Sequence, residues 1–212
     1  PREDVQERLK TAEENLRLNP GDPACRSEFE KAQRIETKAR YNDEARKLGK
    51  LLSEGRHCKS GSPLVVVTGG GPGIMEAANR GAHDAGAKSI GLNIVLPHEQ
   101  SPNRYITPDL CFQFHYFSIR KMHFLMRAQA LVVFPGGFGT LDELFETLTL
   151  VQTKKIEPLP ILLFGREFWQ RLINFEVLEE EGVISPSDLE LFQFVEKAED
   201  AAEIILNHFH SK

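Results

Sequence analysis

Residues 64–76 read Leu64-Val-Val-Val-Thr-Gly-Gly-Gly-Pro-Gly-Ile-Met-Glu76, an apolar strand pattern that passes through a glycine cluster into a helical pattern. The cluster predicts a tight turn between the strand and the helix. Backbone without side chains can approach an anion closely, and the free N–H groups of a helix start favour negative charge. The turn is therefore a candidate phosphate site; the alternative is a structural turn without a ligand. Its candidate binding residues are Gly70, Gly71, Gly73 and Met75.

A second stretch repeats this arrangement. Residues 135–143 read Pro135-Gly-Gly-Phe-Gly-Thr-Leu-Asp-Glu143 and follow the apolar run 130–134. The carboxyl ends of parallel strands meet at one edge of a sheet, where open α/β sheets bind ligands. We therefore expect both turns to face the same crevice. Neither turn matches the GxGxxG dinucleotide fingerprint or the P-loop pattern, so the sequence supports neither of those functions.

Short apolar or β-branched runs alternate with helical patterns along the rest of the chain. This alternation predicts a Rossmann-like α/β fold, a doubly wound parallel sheet preceded by a helical hairpin in residues 1–55. We interpret residues 1–212 as a single domain with a motif-bearing core in residues 64–168. A doubly wound fold normally begins with a strand, so we expect a first strand upstream of Pro1. The predicted strands are 64–68, 89–95, 111–117, 130–134 and 160–164, and the predicted helices are Glu3–Leu18, Ala24–Leu52, 72–86, Ser118–Arg127, Thr140–Lys154, Glu167–Glu180 and Glu199–His208.

Glu143 is the acidic candidate beside the second turn. It lies off the apolar stripe of its predicted helix, close enough to the glycines to reach a ligand. The alternative is that Thr140-x-x-Glu143 forms a capping box, with the carboxylate turned back to the helix start. The spacing leaves both interpretations open.

Arg120 and Lys121 are the basic candidates. Ser118 is the predicted N-cap of their helix, which places both cations in a first turn, where the helix dipole disfavours positive charge. A bound anion would compensate them, and so would an ion pair with Glu143 or Asp142. We favour a ligand-facing Arg120.

Composition excludes several classes of function. A formal net charge of −5 and an isoelectric point near 5.9 argue against a protein that holds nucleic acid. Three widely spaced cysteines without a CxxC pair argue against a disulfide framework and favour a reducing cytoplasm. The seven histidines include no HExxH pair, so we predict no metal site. We also predict no membrane association, because no apolar run approaches the length of a bilayer span.

The two turns and the Arg120-Lys121 pair together resemble the LONELY GUY family, cytokinin-activating phosphoribohydrolases formerly labelled lysine decarboxylases. The resemblance runs from about residue 64 to 168, and the long hairpin is similar to a long bacterial-type subgroup. It implies a Rossmann-like homodimer that hydrolyses the N-glycosidic bond of nucleoside 5′-monophosphates, releasing a base and ribose 5-phosphate without a cofactor. It also implies that Arg120 and Glu143 are the catalytic pair. The implied phosphate-binding residues are Gly136, Gly137, Gly139 and Thr140, with Lys121 as a further substrate-binding residue.

Other functions stay open at this point. The same turns would serve a module that binds or senses a nucleotide without hydrolysing it. A lysine decarboxylase would need a Schiff-base lysine and an acidic partner for pyridoxal phosphate, and the sequence offers no such constellation. A third alternative is a structural chain whose site another subunit completes.

Overall fold

The computed structural model describes residues 2–54, 64–95 and 101–210. Pro1 and Gly55, the outer bounds of the predicted hairpin, lie outside these ranges, as do residues 96–100 of the predicted core. Contacts divide the chain into two compact units, residues 1–44 and 45–212. The prediction of a single domain stays a prediction.

Two long helices form the N-terminal part, as the hairpin prediction expects. Helix α1 spans Arg2–Leu18 and helix α2 spans Pro23–Glu54, so the boundary between the two units falls inside α2. A turn at residues 19–22 separates them, where the breaker sequence Asn-Pro-Gly-Asp interrupts the helical pattern. Within the described ranges, no helix has both the length and the apolar character that crossing a membrane requires.

Strands and helices alternate through the second unit, which confirms the predicted α/β class. The strands are β1 (Val66–Thr68), β2 (Ser89–Ile94), β3 (Cys111–Phe114), β4 (Leu131–Val133), β5 (Ile161–Phe164) and β6 (Gln193–Val195). The helices are α3 (Ile74–Asp84), α4 (Phe117–Leu125), α5 (Phe138–Gln152), α6 (Arg166–Leu172), α7 (Glu176–Glu180) and α8 (Ala198–His210), with short 3₁₀ helices at Pro108–Leu110 and Pro186–Leu191.

All described strand pairs are parallel, and they form two three-stranded sheets. The first has the order β1-β2-β3, with Val66 opposite Ser89. The second has the order β4-β5-β6, with Leu131 opposite Ile161. Among the described residues, β1 and β4 each pair on one side only. The glycine turns follow the carboxyl ends of β1 and β4. Because the strands of each sheet are parallel, each turn lies at the edge of its sheet where the carboxyl ends of the strands meet.

The core of the second unit surrounds β5. All four residues of this strand are buried, as expected for a central strand covered on both faces. Trp169 is completely buried and donates a hydrogen bond from its indole nitrogen to the carbonyl of Phe164, 3.0 Å away. Leu144 of α5 belongs to the same cluster, so the helix that carries Glu143 is fixed to the core by its other face.

The structure corrects several predicted boundaries. Helix α4 begins at Phe117 with Tyr116 as its N-cap, so Ser118 is not the N-cap. The predicted helix 167–180 is two helices, α6 and α7, because the chain becomes extended at Ile173. Strand β6 was not predicted, since its sequence Gln-Phe-Val begins with a polar residue, whereas the equally short β1 and β4 lie within apolar or β-branched runs of five residues.

Candidate active site

The first glycine turn is held by a buried hydrogen-bond network. The hydroxyl of Thr68 donates to Oδ1 of Asn79 at 2.7 Å and accepts from the N–H of Gly70 at 3.0 Å. Gly70 and Gly73 have positive φ angles of 75° and 72°, a backbone conformation that residues with a Cβ rarely adopt. The strand end, the turn and α3 are therefore joined before any ligand binds.

Asn103, from the segment after β2, completes this network. Its backbone N–H donates to the carbonyl of Gly70 at 2.8 Å, and its Nδ2 donates to Gly71 at 3.1 Å and to Asn79 at 3.0 Å. Sequence reasoning missed both asparagines. The available signal in the sequence was a polar residue, Asn79, directly after two alanines of α3. In the structure the Asn79 side chain is fully buried. Its Nδ2 has no hydrogen-bond partner among the described residues.

Little free space remains inside the first turn. A Cβ atom on Gly69 would lie 2.9 Å from the sulfur of Met75 and 3.0 Å from Nη2 of Arg120. A Cβ on Gly70 would lie 3.1 Å from Cδ1 of Ile106. Gly73, the N-cap of α3, faces open space, and Met75 is 39% exposed. The first turn thus packs against the arginine that the sequence singled out.

The second glycine turn is open. Helix α5 has Gly137 as its N-cap, without a side-chain cap, and the N–H groups of Thr140 and Leu141 donate to its carbonyl. The N–H groups of Phe138 and Gly139 precede these bonds and have no acceptor within the helix. A Cβ on Gly137 or Gly139 would meet nothing within 4 Å. Donors and empty space coincide here, as an anion site at a helix start requires.

The capping-box alternative for Glu143 is wrong. Because α5 starts at Phe138, Thr140 is its third residue and cannot be the N-cap, and Glu143 lies in the second turn. The Thr140 side chain instead occupies the space beside Gly136, where any Cβ would collide with it. The Glu143 carboxylate points to Arg120.

Arg120 connects the two halves of the site. Its Nε donates to the carbonyl of Leu92 in β2 at 2.9 Å, and its Nη2 lies 3.3 Å from Oε1 of Glu143. The rings of Phe117 and Phe124 lie near the guanidinium, with their centroids 5.8 and 5.1 Å from Cζ. The side chain is 13% exposed. The guanidinium of Arg120 is therefore fixed in one orientation. Of the two charge partners that the sequence analysis considered, a bound anion and a carboxylate, the structure contains the ion pair with Glu143.

Glu143 is a carboxylate held partly away from water. Burial raises its pKa, the charge of Arg120 opposes that shift, and the nearby carboxylates of Asp142 and Glu146 add to it. The Glu143 side chain is 31% exposed, so it is accessible from solvent. A fixed, accessible carboxylate with a perturbed pKa beside a cation is typical of a catalytic group.

Lys121 makes a second link between α4 and α5. Its Nζ lies 3.1 Å from Oδ1 of Asp142 and 3.2 Å from Oε2 of Glu146. The hydrogen bond to Asp142, together with Glu146, raises the pKa of this lysine. Because α4 begins at Phe117, Arg120 ends its first turn and Lys121 begins the second, so the two cations are not both in the first turn. Carboxylates of α5 compensate both, which offsets the unfavourable helix dipole near the helix start.

Of the seven histidines, His115 precedes α4 and His123 lies within it. The ring of His123 packs against Phe114, with centroids 5.2 Å apart, and His115 is exposed. Within residues 2–54, 64–95 and 101–210, no group of three His, Cys, Asp or Glu side chains is placed to hold a metal ion.

Comparisons with known proteins agree with these motifs. Residues 75–205 match the family model described as "Possible lysine decarboxylase". The cytokinin riboside 5′-monophosphate phosphoribohydrolase LOG3 of Arabidopsis thaliana is 30% identical over 158 residues, which cover 73% of this chain and 69% of that protein. The enzyme of the same activity named LOG, from Oryza sativa subsp. japonica, is 33% identical over 175 residues, covering 80% of this chain and 62% of that protein.

Solved structures share the fold. A molybdenum cofactor binding protein of Rippkaea orientalis superposes with a TM-score of 0.54 at 19% identity, covering 79% of this chain and 86% of that one. The Moco carrier protein of Chlamydomonas reinhardtii gives a TM-score of 0.55 at 20% identity, covering 81% and 89%. At these identities the likeness concerns the fold alone. From the family model and the plant relatives together, the chain belongs to the "Possible lysine decarboxylase" family, which includes the LOG phosphoribohydrolases.

Proposed function

We propose that this protein hydrolyses the N-glycosidic bond of nucleoside 5′-monophosphates, releasing a free base and ribose 5-phosphate. The observation that carries the proposal is the Arg120–Glu143 pair, 3.3 Å apart, beside the open start of α5. The plant relatives are named for this reaction on cytokinin riboside 5′-monophosphates. AMP is our proposed test substrate because it shares the purine nucleoside 5′-monophosphate framework.

The open turn suits the 5′-phosphate. Gly137 and Gly139 leave room for phosphate oxygens, and the N–H groups of Phe138 and Gly139 lack acceptors within the helix. Thr140, next to Gly136, adds a hydroxyl donor at the same position. Binding the phosphate here uses a part of the substrate that does not react to position the ribose. The first turn, with Gly70, Gly71, Gly73 and Met75, forms the opposite wall of the nucleotide site.

Glu143 performs the chemistry at C1′ of the ribose. As the C1′–N bond breaks, its electron pair leaves with the base and positive charge develops on the sugar. The carboxylate stabilises that charge and orients a water molecule, whose oxygen bonds to C1′ while one of its protons ends on the departing base. Arg120 holds the carboxylate in place through its Nη2, and its Nε is itself fixed by Leu92.

Lysine decarboxylation with pyridoxal phosphate does not fit these residues. A Schiff base requires a neutral lysine amine in the cofactor pocket. Lys121, which follows Arg120, has its ammonium between Asp142 and Glu146, and these contacts raise its pKa. The charged form of this lysine is therefore favoured, which is the opposite of what a Schiff-base lysine needs.

We further propose that the protein is a homodimer formed through α4 and works in the reducing cytoplasm. Ile119 and Met122 of α4 and Met126, its C-cap in the αR conformation, lie three and four residues apart and are 45%, 53% and 57% exposed. A second copy presents the same face, so a two-fold contact would bury both. Substituting Met122 with glutamate should yield a monomer by light scattering, and a Met122→Glu dimer would exclude this interface. Cys25 and Cys111 are free thiols, which suits a reducing compartment.

The activity is tested by product identification. The protein is incubated with AMP and a panel of nucleoside 5′-monophosphates, with the nucleosides as a control lacking phosphate, and products are separated by chromatography. We expect equal amounts of base and ribose 5-phosphate from the monophosphates and little from the nucleosides. Tight nucleotide binding without base release would instead support the non-catalytic nucleotide-binding alternative.

A further inference from the structure

The adjacent cations of α4 meet α5 in two different ways. Arg120 contacts Glu143, and Lys121 contacts Asp142 and Glu146, which are four residues apart and lie on one side of α5. The apolar face of α5 fixes this helix to the core, and the Lys121 contacts tie its polar side to α4. Together with the Arg120 contact, they hold the direction in which the Glu143 carboxylate points.

Lys121 is poorly placed to attract a phosphate. Its ammonium group lies between two carboxylates, with Nζ 3.1 Å from Oδ1 of Asp142 and 3.2 Å from Oε2 of Glu146. The Lys121 side chain is 21% exposed. The buried Oε2 of Glu146 accepts no well-aligned hydrogen bond among the described residues. Moving Lys121 toward a ligand would leave that buried oxygen without a compensating charge, which is unfavourable.

We propose that Lys121 is a positioning residue for the hydrolysis rather than a nucleotide ligand: it docks α5 against α4 and neutralises the two carboxylates that flank Glu143. This inference rests on the proposed function, because it assigns Lys121 a role in keeping Glu143 charged and correctly oriented for that reaction.

The electrostatic part of this role follows from the groups around Glu143. Arg120 and Lys121 of α4 lower its pKa, and Asp142 and Glu146 of α5 raise it, in addition to the effect of burial. Removing the lysine removes one lowering charge and leaves both raising charges unscreened. The carboxylate that the reaction needs would then be protonated at higher pH than in the parent.

The first test compares Lys121→Met with Lys155→Met, a matched substitution at an exposed lysine beyond the end of α5. For Lys121→Met we expect kcat on AMP to fall about 10-fold or more with KM within about 2-fold, the pattern of a group that acts on the transition state. The acidic limb of the pH–rate profile should move to higher pH by about half a unit or more. Lys155→Met should match the parent. A large rise in KM with unchanged kcat and pH profile would make Lys121 a nucleotide ligand and overturn the proposal.

The second test separates charge from packing. In Lys121→Met combined with Asp142→Asn and Glu146→Gln, the acidic limb should return toward that of the parent, because the unscreened carboxylates are gone. An acidic limb that stays shifted would contradict the proposed neutralisation. The same variants are titrated by NMR with ¹³C-labelled glutamate, using Glu143→Gln to assign the signal. A Glu143 titration that Lys121→Met leaves unmoved overturns the proposal even if the parent shows no hydrolysis, an outcome that would separately refute the proposed function.

Discussion

The two glycine turns look alike in sequence but differ in structure. In the first, a Cβ on Gly69 or Gly70 would lie close to Arg120 or Ile106, and Asn103 and Asn79 hold the backbone. In the second, Gly137 and Gly139 face open space. The first turn is part of the packed framework of the site, whereas the second leaves room for a ligand.

The glycines therefore serve different purposes. Gly70 and Gly73 have positive φ angles, so the backbone conformation of the first turn requires glycine. Gly137 and Gly139 are not among the glycines with positive φ, and a side chain there would meet no neighbouring atom. Gly136 leaves space for the Thr140 side chain, whereas neither packing nor a positive φ requires glycine at Gly137 and Gly139. We propose that these two glycines give a ligand access to the backbone.

Between the two turns, the largest expected effect is on ligand binding at the second turn. Gly139→Val should weaken AMP binding about 100-fold, because its side chain fills the space proposed for phosphate oxygens beside the helix N–H groups. Stability should change by less than about 1 kcal/mol, since valine is no poorer a helix former than glycine. Calorimetric titration in a Glu143→Gln background measures affinity without turnover. Unchanged affinity would remove Gly139 from the phosphate site.

A smaller effect is expected at the first turn, and on stability instead. Gly70→Ala places a Cβ at φ 75° and 3.1 Å from Ile106. The free energy of unfolding should fall by about 1–3 kcal/mol, the usual cost of a strained backbone conformation. Urea unfolding measures this change, with Gly139→Ala as the matched substitution in open space, expected to be neutral or stabilising. Equal losses in the two variants would abolish the contrast between the turns.

The smallest effect concerns the pH dependence of stability. The pKa of Glu143 is raised above the ordinary value of 4.5, so the folded protein holds that proton more tightly than the unfolded chain. The resulting stabilisation is present below 4.5 and is lost as pH rises through the folded pKa. The Tm of Glu143→Gln minus the Tm of the parent should therefore be more positive at pH 7 than at pH 4. A difference in Tm that is constant with pH would show that burial does not raise this pKa.

Much of the fold could be predicted from the sequence because its signals are local. The strand before Gly69 follows from an apolar run that ends in glycine, and α5 follows from the apolar stripe that begins after the second glycine turn. Strand β6 could not be predicted, since it does not lie in a continuous apolar run of the kind that contains β1 and β4. The division of the six described strands between two sheets depends on which edges pair, and a linear pattern does not specify that.

The residues of the site could also be predicted from local motifs, whereas the contacts between them could not. Arg120 and Glu143 were identified from motifs, and the motif order alone cannot give the 3.3 Å contact that forms between different helices. Whether Glu143 capped its helix depended on where α5 begins, and a shift of three residues, from Gly137 to Thr140, decided it. Asn103 joins the first turn from a segment far along the chain, so no local pattern could have connected them.

We propose that Glu143 performs hydrolysis at a nucleotide site built by these turns. AMP binding and base release by Glu143→Gln and by the parent, measured on the same preparations, test this role. We expect the variant to bind AMP with an affinity close to that of the parent and to release base at least about 1,000-fold more slowly. Base release by Glu143→Gln at the parent rate would contradict it.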